Sequence, residues 1–146
     1  MPKTPNTANG RFRFTEHTSE IGIEIEAPDL NAFFQTAGYG LIKLVLPQTP
    51  QGGRVAEKTA ALRAETTEEL LVAWLNEVVF WIQTQRFVAQ NFDLSADQNG
   101  TALAVRAKGK SFDRLPLVLE VKAATYQRLK IIRSKNTVKT TVILDI

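Results

Sequence analysis

Cysteine is absent from this chain of 146 residues, and histidine occurs once, as His17. Each scarcity removes a class of chemistry. Without cysteine there is no disulfide framework, no thiolate metal site and no sulfur nucleophile, a composition suited to a reducing compartment, so a cytoplasmic location is expected. A serine-histidine-acid triad could be assembled only around His17. The richest apolar run, LLVAWLNEVVFWI, is broken by Asn76 and Glu77 and falls short of the roughly 20 residues a membrane helix needs, so no membrane partner is expected. Neither GxxxxGK[ST] nor GxGxxG after a strand occurs, which removes the usual signatures of nucleotide hydrolysis and dinucleotide redox chemistry. The opening MPKTPNTANG is polar and carries two prolines; residues 1 to 10 read as a disordered tail, with residues 11 to 146 as one domain.

What is present is charge, unevenly placed. Residues 1 to 30 hold three bases against five acids, and residues 111 to 146 hold seven bases against three acids. The basic final third could meet phosphate, or be no more than a solvated sheet face. The acids concentrate in EHTSEIGIEIEA, residues 16 to 27, where Ile21, Ile23 and Ile25 alternate with Gly22, Glu24 and Glu26 as in a strand with one wet face. Glu20 stands at the mouth of that strand, beside His17, Thr18 and Ser19, where sites tend to be built. Hard cations take oxygen ligands. Glu20 and Asp145 could supply them together, were the first and last strands neighbours.

The remaining pattern mixes strands and helices. After short strands at Phe12 to Thr15 and Glu20 to Ala27, Asp29 is the expected N-cap of a helix striped by Leu30, Phe33, Phe34, Ala37, Leu41, Leu44 and Val45, a single buried face. Gly38 and Gly40 within it point to close packing. Arg54 to Glu65 is a weakly patterned strand. Thr66 and Glu69 form a capping box for a second helix carrying both tryptophans. Strands follow at Phe87 to Ala96, Ala102 to Lys110, Val121 to Arg133 and Val138 to Ile146, with hairpin turns at Asp97 to Gly100 and Ser134 to Asn136. The expected class is α+β: a mainly antiparallel sheet with two principal helices on one side.

Four segments in order carry a family resemblance. FRFTEHTSEIGIEIEAPDLNAFFQTAGYGLIKLV is similar to the opening of the archease family, with its approximate HTAD[IV]GI signature; ETTEELLVAWLNEVVFWIQTQRF is similar to that family's second helix. Phe112-Asp113 followed by EVKAATY resembles its late strand, and ILDI its C-terminal motif. The resemblance implies a non-catalytic activator of the RtcB-type RNA ligase, which joins 3′-phosphate or 2′,3′-cyclic phosphate ends to 5′-hydroxyls in tRNA splicing. The ligase does its own chemistry with manganese and GTP; the activator promotes its guanylylation and turnover. Carried residue by residue, the family metal site becomes Glu20, Asp145 and the carbonyl of Ile146, with Lys122 and His17 as partner-activation residues. This implies a divalent cation, calcium, and a neighbouring placement of the first strand-helix junction and the last strand's end. Glu20 stands where the family has aspartate, one methylene longer and so reaching about 1.5 Å further, which a flexible calcium site absorbs better than octahedral magnesium. The family's TYHD is Thr125-Tyr126-Gln127-Arg128 here.

The alternative is a stand-alone RNA- or protein-binding module using Lys122, Arg128, Lys130, Arg133 and Lys139. RNA contact is expected to be indirect or weak, since Tyr126 is the sole aromatic of that stretch. An independent metal-dependent hydrolase is disfavoured for want of a base and nucleophile pair.

Overall fold

In the computed structural model, which describes residues 10 to 146, the chain folds around two helices that sit between antiparallel sheets. Strands β1 (Arg11–His17) and β2 (Glu20–Ala27) form a hairpin, followed by α1 (Leu30–Val45), β3 (Arg54–Arg63) and α2 (Thr67–Gln83). Then come β4 (Phe87–Ala96), β5 (Ala102–Ser111), the short β6 (Ala123–Ala124) and β7 (Ile132–Ser134), and finally β8 (Thr137–Asp145). One sheet has the order β1-β2-β8-β6, with β7 also paired to β8; the other has the order β3-β5-β4. The expected tail lies, Gly10 apart, outside the described residues.

The α+β class with antiparallel pairing is the one read from sequence, but the strands divide between two sheets. The helices show why. Helix α1 packs on β1 and β2 of the larger sheet and on β4 of the smaller, while α2 meets β3, β4 and β6. A helix with sheets on both sides has no single buried face: thirteen of the sixteen residues of α1 are buried, in contrast to the one-sided stripe expected from its periodicity. Its glycines serve the two sides separately. A Cβ on Gly38 would stand 2.8 Å from the Phe92 ring and 3.0 Å from that of Trp74, whereas one on Gly40 would meet Phe12 at 3.2 Å.

Local signals start both helices. The Asp29 carboxylate accepts from the Ala32 N–H at 2.8 Å, and Thr66 and Glu69 complete their capping box, each satisfying backbone donors that have no partner within a helix. Trp74 lies fully buried, its indole N–H donating to the Phe34 carbonyl at 2.9 Å. The weak pattern of β3 has a plain cause: it is an edge strand with no fully buried residue.

The expected strand from Val121 to Arg133 is interrupted. Ala124 pairs with Leu144, and Ile132 with Lys139; eight residues on one side span five on the other, so three are looped out between β6 and β7. The loop turns through Arg128, at φ 51°, with the Leu129 N–H donating to the Tyr126 carbonyl at 3.0 Å. A strand pattern cannot signal this, because the left-handed turn belongs to a residue that rarely adopts it.

Candidate functional site

The outer face of the larger sheet is a ladder of polar rows set by register. On this face β1 presents Arg11, Arg13 and Thr15, β2 presents Glu26, Glu24, Gly22 and Glu20, and β8 presents Lys139, Thr141, Ile143 and Asp145. The top row runs from His17 through Glu20 to Asp145, which are consecutive Cα partners. Five residues singled out from sequence therefore gather at one sheet end. Glu20 and Asp145 are cross-strand neighbours, the Lys122 N–H donates to the Asp145 carbonyl at 2.8 Å, and the Ile146 N–H lies 3.4 Å from the Ser19 carbonyl. The Lys122 and Asp145 side chains are exposed and Glu20 is half-buried. The side chain of His17 lies outside the described part of the structure. The tip sits at the β1–β2 turn, at the end of β2 away from α1, and not at the strand-helix junction.

Helix α2 fixes this end. Asn76, the residue that interrupts the apolar run, accepts from the Ala124 N–H at 2.9 Å. Gln83 brackets Val121, accepting from its N–H at 2.7 Å and donating to its carbonyl at 2.9 Å. These two amides hold β6 and Lys122 beside the last strand. Thr125 adds a hydroxyl bond to the Ile143 carbonyl at 2.9 Å.

Arg128 enters from the looped-out segment, with its guanidinium 3.9 Å from the Glu20 carboxylate. The described residues contain no group of three or more His, Cys, Asp or Glu side chains able to hold a metal ion; the tip is a carboxylate pair with backbone oxygens about it.

Further down the face the charges pair off. Arg11 binds Glu26 at 2.8 Å, and Arg13 reaches both oxygens of Glu24, at 2.8 and 2.9 Å. The hydrogen bond from Arg11, with its charge, holds the Glu26 carboxyl below the ordinary range, and Lys139 adds a smaller pull. The basic set read from sequence is divided: Arg128, Lys130 and Lys139 line one groove together with Arg11 and Arg13. Arg133 turns away to the Gln98 carbonyl at 3.2 Å, and Lys122 stays at the tip. Arg11 and Arg13 escaped the sequence reading, although their alternation opposite Glu24 and Glu26 was a signal for cross-strand pairing.

An α+β protein with two antiparallel sheets about a helical pair, carrying rows of charged and polar side chains on one sheet face, is the class this geometry defines. The chain matches the Archease protein family over residues 12–146 and belongs to that family. It is 26% identical over 141 residues to protein archease of Methanosarcina barkeri, covering 93% of this chain and 96% of that one. To protein archease of Saccharolobus islandicus it is 29% identical over 140 residues, covering 92% and 98%. Among solved structures it resembles protein 1598 of Methanobacterium thermoautotrophicum, with TM-score 0.68, 22% identity and coverage of 92% and 98%. It also resembles an archease of Thermotoga maritima described as a possible chaperone, with TM-score 0.62, 23% identity and coverage of 90% and 94%. No helix among the described residues is long and apolar enough to cross a membrane.

Proposed function

We propose that this chain is a non-catalytic activator of an RtcB-type RNA ligase, acting in the cytoplasm by presenting a cation-binding acidic tip to the ligase. The observation that carries this reading is the register that sets Glu20 opposite Asp145, in a chain that belongs to the archease family. The description of the Thermotoga relative as a possible chaperone supports action on another protein.

The donors are oxygens only: two carboxylates and the Ile146 carbonyl. That chemistry suits a hard cation, and calcium tolerates irregular sets completed by water. The pairing of Glu20 with Arg128 is no bar, because a long contact to a guanidinium that is 74% exposed is worth little in water. Bound there, a divalent cation supplies positive charge toward phosphate. The chain's own part is to hold two like charges on adjacent strands, to pin β6 against β8, and to extend the Lys122 ammonium from the same end.

The test is ligase guanylylation and multiple-turnover ligation with Glu20→Ala, Asp145→Ala and Lys122→Ala, read beside calcium-dependent melting. Calcium should raise the melting temperature of the parent by mass action and raise it far less for the two acid variants, which should also lose activation. Glu20→Asp should retain both. If both alanine variants activate a ligase as well as the parent does, the acidic-tip mechanism is wrong.

A further inference from the structure

Between the sheet face and the looped-out segment runs an open groove of about 730 Å³. Its cations are Arg11, Arg13, Arg128, Lys130 and Lys139, against the acids Glu24 and Glu26. Both acids are already matched, by Arg13 and Arg11 respectively. The three remaining cations come from β8 and the segment after β6. Lys130 has no hydrogen-bond or ion-pair partner for its ammonium among the described residues, and Lys139 lies beside a carboxylate that Arg11 already neutralises. The groove is thus a basic channel with net charge left over for a ligand.

We infer that this groove binds single-stranded RNA by its phosphodiester backbone, without reading base sequence. The spread of charge decides for an extended strand over a compact phosphate. Lys139 pairs across the sheet with Glu26, whereas the guanidinium of Arg128 reaches to Glu20. Those two acids are six residues apart on β2, roughly 20 Å at strand rise. A free phosphate needs convergent donors; a polynucleotide backbone offers a succession of anions for a positively charged groove to track. Tyr126, 59% exposed and two residues before Arg128 on the same loop, adds an aromatic face on which one base can stack. An acidic polypeptide such as polyglutamate offers the charge without a base at every repeat to meet that ring.

The experiment is fluorescence polarisation of a labelled single-stranded oligoribonucleotide of about ten residues, titrated with the full chain from 50 to 200 mM NaCl. Ligase is omitted and EDTA is present, so the outcome is independent of the activator reading. Binding should be micromolar, similar for different sequences, and salt-dependent with a log-log slope of about −2, the value for three phosphate contacts on a single strand. Lys130→Gln/Lys139→Gln should weaken binding roughly tenfold or more and make the slope shallower by about 1.4. Tyr126→Ala should weaken binding while leaving the slope in place. Arg63→Gln/Lys108→Gln, on the other sheet, should change neither, and melting temperatures should match throughout. The inference is overturned if the groove variants bind as the parent does, or if no binding appears. Displacement of the oligonucleotide by ATP or inorganic triphosphate at equal phosphate concentration, or equal binding of polyglutamate, overturns it as well.

Discussion

Arg128 shows how much one residue's conformation decides. Its left-handed backbone, at φ 51°, costs an arginine what it would not cost glycine, and the result is a guanidinium held over the Glu20 carboxylate. Its exposure makes the pair nearly worthless for folding; the attraction between the guanidinium and the Glu20 carboxylate at 3.9 Å is about 1 kcal/mol at most in water, a small amount that a cation bound to Glu20 would give up. Arg128→Ala should therefore tighten calcium binding up to about fivefold by isothermal titration, and by the same change weaken RNA in the groove. Opposite signs for the two ligands are the diagnostic result; a calcium affinity that is unchanged or lower would show that Arg128 does not compete at the tip. The sequence displays the arginine in Thr125-Tyr126-Gln127-Arg128, but its proximity to a residue more than a hundred positions earlier depends on the loop conformation.

At the scale of elements, short-range chemistry reads well and long-range pairing does not. Both N-caps and the Asp97 to Gly100 turn follow from side chains that bond backbone groups within a few positions. In that turn the Asp97 carboxylate accepts from the Thr101 N–H at 2.8 Å, the Ala102 N–H at 3.1 Å and the Thr101 hydroxyl at 3.1 Å. These bonds, that from the Thr101 N–H foremost, hold the Asp97 carboxyl below the ordinary aspartate range. With the folded value below the unfolded one, the stabilisation is complete above the ordinary range and is lost as pH falls through the depressed folded value. Amide exchange at Thr101 and Ala102, corrected for its intrinsic pH dependence, should therefore show protection at neutral pH that declines only in strong acid. Asp97→Ala should show reduced protection at neutral pH; equal protection in parent and variant would refute the assignment. The strand expected from Val121 to Arg133 fails for the converse reason: what breaks it is its registration against β8, which no local pattern encodes.

The whole molecule rests on a core shared by both sheets. Trp74 ties the two helices to the smaller sheet, stacking edge-on against Phe92 of β4 at 5.2 Å and Trp81 of α2 at 5.7 Å, while bonding α1 through the Phe34 carbonyl. Trp74→Ala should cost about 3–5 kcal/mol in urea unfolding, through lost burial and the cavity left behind. Gly38→Ala is the sharper test. Alanine favours a helix by about 1 kcal/mol, but its methyl would press on Phe92 and Trp74, at a cost of about 1–3 kcal/mol for overpacking. The variant should be net destabilised; a raised urea midpoint would mean that the two rings yield readily and that the close approach is incidental.

By itself the sequence determined the α+β class, the two helices with their caps and the main strands, because periodicity and capping are properties of neighbouring positions; the residues at the tip were singled out as one site through the resemblance of its motifs to the archease family. Only the tertiary structure decided that the strands form two sheets with α1 buried between them. It set Glu20 directly opposite Asp145, a nearness the family resemblance implied, and it alone carried Arg128 to within 3.9 Å of Glu20 and joined Arg11 and Arg13 to a groove whose other cations lie more than a hundred residues later. Those arrangements arise from strand register and from a left-handed turn. Register is settled by which apolar faces can be buried together, a contest among distant segments that leaves little trace within any one of them.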